Sequence, residues 1–139
     1  MNRVEQAILQ MKRYLIKEFC FSYTPVQNEI VISIELGRET KIIEEDGKKN
    51  CLLELTLTAF GRADETDYLT IKASMEGVFE CQETLEEKAL EKMVAESGTS
   101  ILLPVLRAAI LSFTGQAGLT PPIVIPLMNP RFSSEAEKQ

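Results

Sequence analysis

The side chains that could carry chemistry in this 139-residue chain are cysteines and carboxylates, because it contains no histidine. That absence removes Ser-His-Asp and Cys-His nucleophilic sites, the HExxH zinc proteases and any imidazole proton shuttle. Cys20, Cys51 and Cys81 are an odd number at wide spacing, without a CxxC pair, and do not form a disulfide framework. Converging from neighbouring strands they would supply three zinc thiolates, with a carboxylate or water as fourth ligand. The reading adopted is reduced thiols packed as small apolar residues, with no metal expected. Glu44, Glu45 and Asp46 fall in a hairpin loop, and Glu83, Glu86, Glu87 and Glu91 at a helix start. Solvent and the helix dipole account for acids in such places. Neither glycine-rich phosphate loop nor dinucleotide fingerprint occurs, so no cofactor is expected and the chain is read as a non-enzyme.

Composition narrows the partners. Fifteen Lys and Arg against 21 Asp and Glu leave a net charge of −6, which lacks the basic footprint of a nucleic-acid binder. There is no tryptophan, and aromatics are 6% of the chain, too few for a base-stacking platform. The longest apolar run, Ile101 to Leu106, falls far short of the ~20 residues of a membrane span, so no insertion is expected. The start, MNRVEQAILQMKR, has no signal-peptide pattern, and a cytoplasmic location is expected.

The elements come next. Ile30 to Leu36, Cys51 to Phe60 and Tyr68 to Phe79 alternate with period two, predicting antiparallel strands with one wet face. Asp46-Gly47 and the stretch Gly61 to Asp67 are the turns between them. Val4, Ala7, Ile8, Met11, Tyr14 and Leu15 fall at helical spacing, so periodicity predicts a helix to about residue 16 and strand thereafter. Further on, Thr84 and Glu87 form a possible capping box ahead of an apolar stripe of Leu85, Ala89, Leu90, Met93 and Val94. Ser97-Gly98-Thr99 then interrupts it, and a second helix is expected from about Ser100 to Thr114, stopped by Gly115.

From Ile101 to Thr114 that second helix carries only Arg107, Ser112 and Thr114 as polar residues. A helix apolar nearly all round needs cover on both sides, and one small sheet covers one side. A second copy of the chain is the expected other cover, with Leu102, Leu106, Ala109, Ile110 and Phe113 as interface candidates. The competing cover is the chain's own segment Pro121 to Met128. With four prolines, the segment after Gly118 is an extended apolar strap over the core or an edge. A single domain spans residues 1–132, and 133–139 are a polar tail. Phe19, Phe21, Tyr23, Phe60, Phe79, Phe113 and the strap exceed what one small two-layer domain readily hides. They suit either core and oligomer interface or a groove for extended, unfolded polypeptide.

The chain resembles the SecB protein-export chaperones. The resemblance is carried by Leu9-Gln10-Met11 through Lys17-Glu18-Phe19-Cys20-Phe21, by Gly77-Val78-Phe79, by Ile101 to Arg107, and above all by Pro121-Pro122-Ile123-Val124-Ile125-Pro126-Leu127-Met128-Asn129. Order and spacing agree over about residues 9 to 129. The resemblance implies an α+β fold, a four-stranded antiparallel sheet packed on helices, in which Leu9 to about Tyr23 is the first strand rather than a helix. It further implies a tetramer built as a dimer of dimers, and ATP-independent binding of non-native polypeptides, usually for the secretion motor SecA. Candidate groove residues are Phe19, Phe21, Tyr23, Ile30, Ile32, Phe79, Leu119 and Ile123. Three departures stand out. The loop Thr24 to Asn28 is short and lacks a tryptophan, and NPRFSSEAEKQ cannot supply the family's final lid helix. Of the acidic motor-docking positions Glu18 is kept, while Ser22 and Lys72 occupy others. The leading expectation is therefore a holdase for unfolded clients. The alternative is an adaptor dedicated to one partner, such as an antitoxin or mobile-element protein, without SecA docking.

Overall fold

Period-two alternation runs well past the three apolar stretches that announce it. The computed structural model describes residues 9–26, 31–81, 85–119 and 122–125. It forms one antiparallel sheet in the order β1-β4-β3-β2, from β1 (Leu9–Tyr23), β2 (Val31–Glu45), β3 (Lys48–Ala63) and β4 (Thr66–Cys81). Charged residues lengthen the strands: Lys41 and Lys48 sit on the outward face, while Glu44 and Lys49 sit on the helix side at the sheet's end, where Lys49 Nζ donates to Glu87 Oε2 (2.8 Å). Ile30, Thr84 and the tail 133–139 lie outside the described residues.

The first turn falls at Asp46-Gly47 as expected, but Glu44 and Glu45 pair with Lys49 and Lys48 instead of lying in the loop. Asp46 and Gly47 both take positive φ (53° and 75°), as a two-residue hairpin of right-handed twist requires. The stretch Gly61 to Asp67 is not a loop. Strand pairing continues to Ala63 and Thr66, leaving Asp64 and Glu65 at φ 51° and 67°.

The first strand corrects the helical reading of the N-terminal periodicity from Leu9 onward. Register shifts between Met11 and Arg13, and between Ile16 and Glu18, make Lys12 and Lys17 extra residues opposite β4. The pairing therefore carries Met11, Tyr14, Ile16, Phe19, Phe21 and Tyr23 onto one face, opposite Phe79, Gly77, Met75, Ala73, Ile71 and Leu69. Steps of three at the two bulges imitate a helical repeat.

On the other side of the sheet the bulged cations meet acids. The Lys17 ammonium binds the Glu54 carboxylate and lies 3.6 Å from Glu76 Oε2, bridging two glutamates that sit directly opposite each other on β3 and β4. Unbridged, such like charges repel. Arg13 holds Glu45 through two hydrogen bonds, Nη2 to Oε2 at 2.5 Å and Nη1 to Oε1 at 3.3 Å, while Lys12 lies 3.6 Å from the same carboxylate. Since β1 and β2 are the two edges, this clasp joins opposite borders of the sheet.

One long helix, Glu87–Gln116, covers the apolar face. It consists of α1 (Glu87–Met93), a wide π-type turn (Val94–Gly98) and α2 (Thr99–Gln116). Ser97-Gly98-Thr99 thus widens the helix rather than breaking it. A Cβ on Gly98 would stand 3.0 Å from Leu53 and 3.1 Å from the Phe79 ring, and one on Gly77 would stand 3.0 Å from Leu102. These two glycines set how closely helix and sheet approach. In the widened turn the Ala95 carbonyl accepts hydrogen bonds from Thr99 Oγ1 (2.6 Å) and from Arg38 Nη1 of β2 (2.6 Å). By length and apolar composition Glu87–Gln116 would suffice to cross a bilayer, which the short run Ile101 to Leu106 does not suggest. Here the helix seals the sheet: Leu102, Leu106 and Ile110 are fully buried against Leu53, Leu55, Leu57, Ile71, Met75 and Phe79. Each such side chain contributes about 1.5–3 kcal/mol of burial.

The helix stops at Gly118 (φ 102°), not at Gly115. Leu119 N–H donates to the Thr114 carbonyl (3.0 Å) and Gly118 N–H to that of Gly115 (3.1 Å), the paired bonds of a Schellman end. The chain then reverses, and residues 122–125 run back along α2.

Candidate functional site

Three phenylalanines from two elements meet where the end of α2 crosses the edge strand. The Phe113 ring lies 4.7 Å from Phe19, tilted by 51°, and 5.2 Å from Phe21, edge-on at 70°. Spacings in this range are favourable for aromatic pairs, whose edges are positive and faces negative. Phe19 and Phe21 alternate on one face of β1, in register with Ala73 and Ile71, and small Ala73 leaves room above it. Phe113 remains 41% exposed, so the cluster presents apolar surface to solvent.

The other expected groove residues divide. Tyr23, Leu119 and Ile123 are half-buried against the same core. Phe79 is fully buried beneath Gly98 and belongs to the core, so it has no surface to offer a ligand. Ile32 is exposed but sits on β2, the opposite edge of the sheet from Phe19 and Phe21. Ile30 is outside the described residues.

The expected interface residues divide as well. Leu102, Leu106 and Ile110 have no exposed area left, Ala109 is half-buried, and Phe113 joins the aromatic cluster. The solvent side of α2 instead shows Ile101, Pro104, Ala108 and Leu111, one stripe opposite the buried one. Glu18 is exposed on the far face of β1, opposite Ser74, and the next pairs on that face are Cys20 with Lys72 and Ser22 with Thr70.

Two polar residues gain a role that spacing alone did not assign. Buried Thr114 donates its hydroxyl to the Ile110 carbonyl (2.8 Å) and accepts from Ile123 N–H (2.9 Å). Arg107 Nε donates to the Ile125 carbonyl (2.8 Å). Between Ile101 and Thr114 this apolar helix has only one other polar residue, Ser112, and the two are seven positions apart and so on one side of it. That was the signal available. Together they fasten the strap antiparallel to α2, with Ile125 only 2% exposed.

The cysteines do not converge. Cys51 is buried on the helix-covered face, Cys20 is exposed on the other, and Cys81 closes β4 opposite Leu9. Among the described residues no three Cys, Asp or Glu side chains come together to hold a metal ion. Burial pushes the Cys51 thiol up to about 11, away from the thiolate a nucleophile needs. In the charged clasp, the hydrogen bond from Arg13 and a second from Asn50 hold the Glu45 carboxyl at about 2. The arrangement offers apolar burial beside hydrogen-bonding groups for backbone.

Comparison with known proteins follows the fold. No family model matches the chain. The protein-export protein SecB of Acidithiobacillus ferrooxidans is 23% identical over 141 residues, spanning 97% of this chain and 93% of its own length. The SecB-like chaperone of Mycobacterium tuberculosis, solved in complex with a ChAD peptide from the HigA1 antitoxin, superposes with a TM-score of 0.66 at 15% identity. That match covers 86% of this chain and 90% of the other. A Streptococcus agalactiae protein of unknown function matches at TM-score 0.51 and 9% identity, over 86% and 97%. The fold is SecB-like, a four-stranded antiparallel sheet with its C-terminal helix, and the sequence is similar to SecB over nearly its whole length.

Proposed function

We propose that the chain is an ATP-independent cytoplasmic holdase, which captures non-native polypeptides on the apolar surface between β1 and the end of α2. The observation that carries this reading is Phe113, left 41% exposed over Phe19 and Phe21. Tyr23, Leu119 and Ile123 extend the surface, and its similarity to SecB supports the class of ligand. Burying one client side chain yields about 1.5–3 kcal/mol, while ordering each client residue costs about 1–2 kcal/mol. Single sites are therefore weak and tolerant of sequence. Useful affinity comes from several sites on one particle engaging one long chain.

The particle in this reading is a tetramer, a dimer of dimers. Its support is the solvent-facing stripe Ile101, Pro104, Ala108 and Leu111, which a lone protomer leaves wet. The acidic surface keeps such a particle soluble and favours basic client segments. Glu18 alone of the expected docking acids supports SecA as a partner. The test is suppression of aggregation of a slowly refolding client, without nucleotide, at one oligomer per client. Loss of suppression overturns the holdase reading.

A second reading, an adaptor for one partner, is favoured by the antitoxin peptide held by the Mycobacterium tuberculosis chaperone. Pull-down from the native host separates the two. One stoichiometric partner supports the adaptor, and a broad set of nascent chains supports the holdase.

A further inference from the structure

The strap is held the way an extended client would be held. Residues 122–125 make no regular secondary structure, and the two polar contacts described above that bind them to α2 engage their backbone only. Thr114 Oγ1 reads the N–H of Ile123 and Arg107 Nε reads the C=O of Ile125, two residues further along. Neither contact depends on which side chain the extended segment carries. Side-chain burial alternates along the same residues: Ile125 is enclosed at 2% exposure, while Val124 is 63% exposed. The fit is incomplete, because an open cavity lined by Pro104, Arg107, Ala108, Leu111, Val124 and Ile125 remains beside the strap.

We infer that the Thr114–Arg107 side of α2 is a binding track for extended apolar polypeptide, that the chain's own strap is its resident occupant, and that a client enters by displacing it. The ligand class follows from the contacts. It is an extended segment with a free N–H at the Ile123 position, which excludes proline there, and a large aliphatic side chain two residues later. Such a segment replaces each strap contact with an equivalent one, so the exchange loses little. The strap then acts as a built-in competitor that keeps the track covered until a client arrives. Ile123 is half-buried against the core and bonded to Thr114, so release of the strap would also uncover apolar surface at the end of α2.

The inference rests on the holdase reading, and one experiment separates their failures. Hydrogen exchange is followed at the amides of Ile123 and Leu119 in the full-length protein, with and without saturating reduced, carboxymethylated lysozyme as an unfolded client. Binding is confirmed separately by fluorescence anisotropy. Leu119 N–H is bonded to the Thr114 carbonyl at the helix end and serves as internal control. The expected result is at least tenfold faster exchange at Ile123 with Leu119 unchanged. Unchanged or slower exchange at Ile123 while the client is bound overturns the inference, and so does equal acceleration at both amides, which is fraying of the helix end. Absence of any client binding instead overturns the holdase reading, and the inference with it.

Discussion

Phe113 at the end of α2 and Phe19 on edge strand β1 stand 4.7 Å apart, centroid to centroid, although 94 positions separate them in sequence. Their contact ties the helix end to the sheet edge and leaves both rings partly wet. A double-mutant cycle with Phe19→Ala and Phe113→Ala is expected to give a coupling of about 0.5–1.5 kcal/mol, the range for aromatic pairs. Urea unfolding of the four proteins measures it. Strictly additive losses would contradict the contact.

Gly98 marks the closest approach of helix and sheet. Its replacement by valine drives two methyl groups toward Leu53 and the rigid Phe79 ring. Gly98→Val should destabilise the fold by about 1–3 kcal/mol, as overpacking does, despite removing a helical glycine. An unchanged denaturant midpoint would show that the π-type turn yields instead.

The β3–β4 turn holds Glu65 at φ 67°, where an L side chain crowds its own carbonyl. Glu65→Gly is expected to raise stability by about 0.5–1 kcal/mol, the relief exceeding glycine's extra unfolded-state entropy. Thermal and urea melts of the variant give the sign directly.

The Arg13–Glu45 clasp sets an acid dependence. The folded Glu45 carboxyl titrates near 2, below its ordinary value of 4.5. The stabilisation is therefore complete above about pH 4.5 and is lost as pH falls toward 2. Glu45→Gln should flatten the stability-against-pH curve within that window and leave its slope near neutrality unchanged. Parallel curves for the two proteins across the window would show that the clasp contributes nothing.

Much of this architecture was legible in the residues, and the misses share physical causes. Leu53, Leu55 and Leu57 alternate cleanly with polar neighbours, and the structure puts them in the core. β1 was obscured because its bulges at Lys12 and Lys17 shift the apolar phase by one residue each, and periodicity alone cannot tell a bulge from a helical turn. The SecB resemblance corrected that segment. Ser97-Gly98-Thr99 read as a break because glycine is a poor helix former, yet here its missing side chain is what the close contact with Phe79 demands. In the site, the aromatic types pointed to Phe19 and Phe21 but equally to Phe79. Which rings reach solvent depends on the path of the helix over the sheet, which no single strand records. Thr114 and Arg107 were visible as rare polar residues, but their strap partners are backbone atoms that carry no sequence signature.

The central claim is that an unfolded chain binds at the Phe19–Phe21–Phe113 surface without nucleotide. Titration of a fluorescently labelled, reduced and carboxymethylated protein into wild type and Phe113→Ser tests it most directly. Because Phe113 is already 41% exposed, the variant should keep its fold, which circular dichroism checks. The prediction is saturable binding by wild type and at least tenfold weaker binding by Phe113→Ser. Equal binding by the two proteins would contradict it.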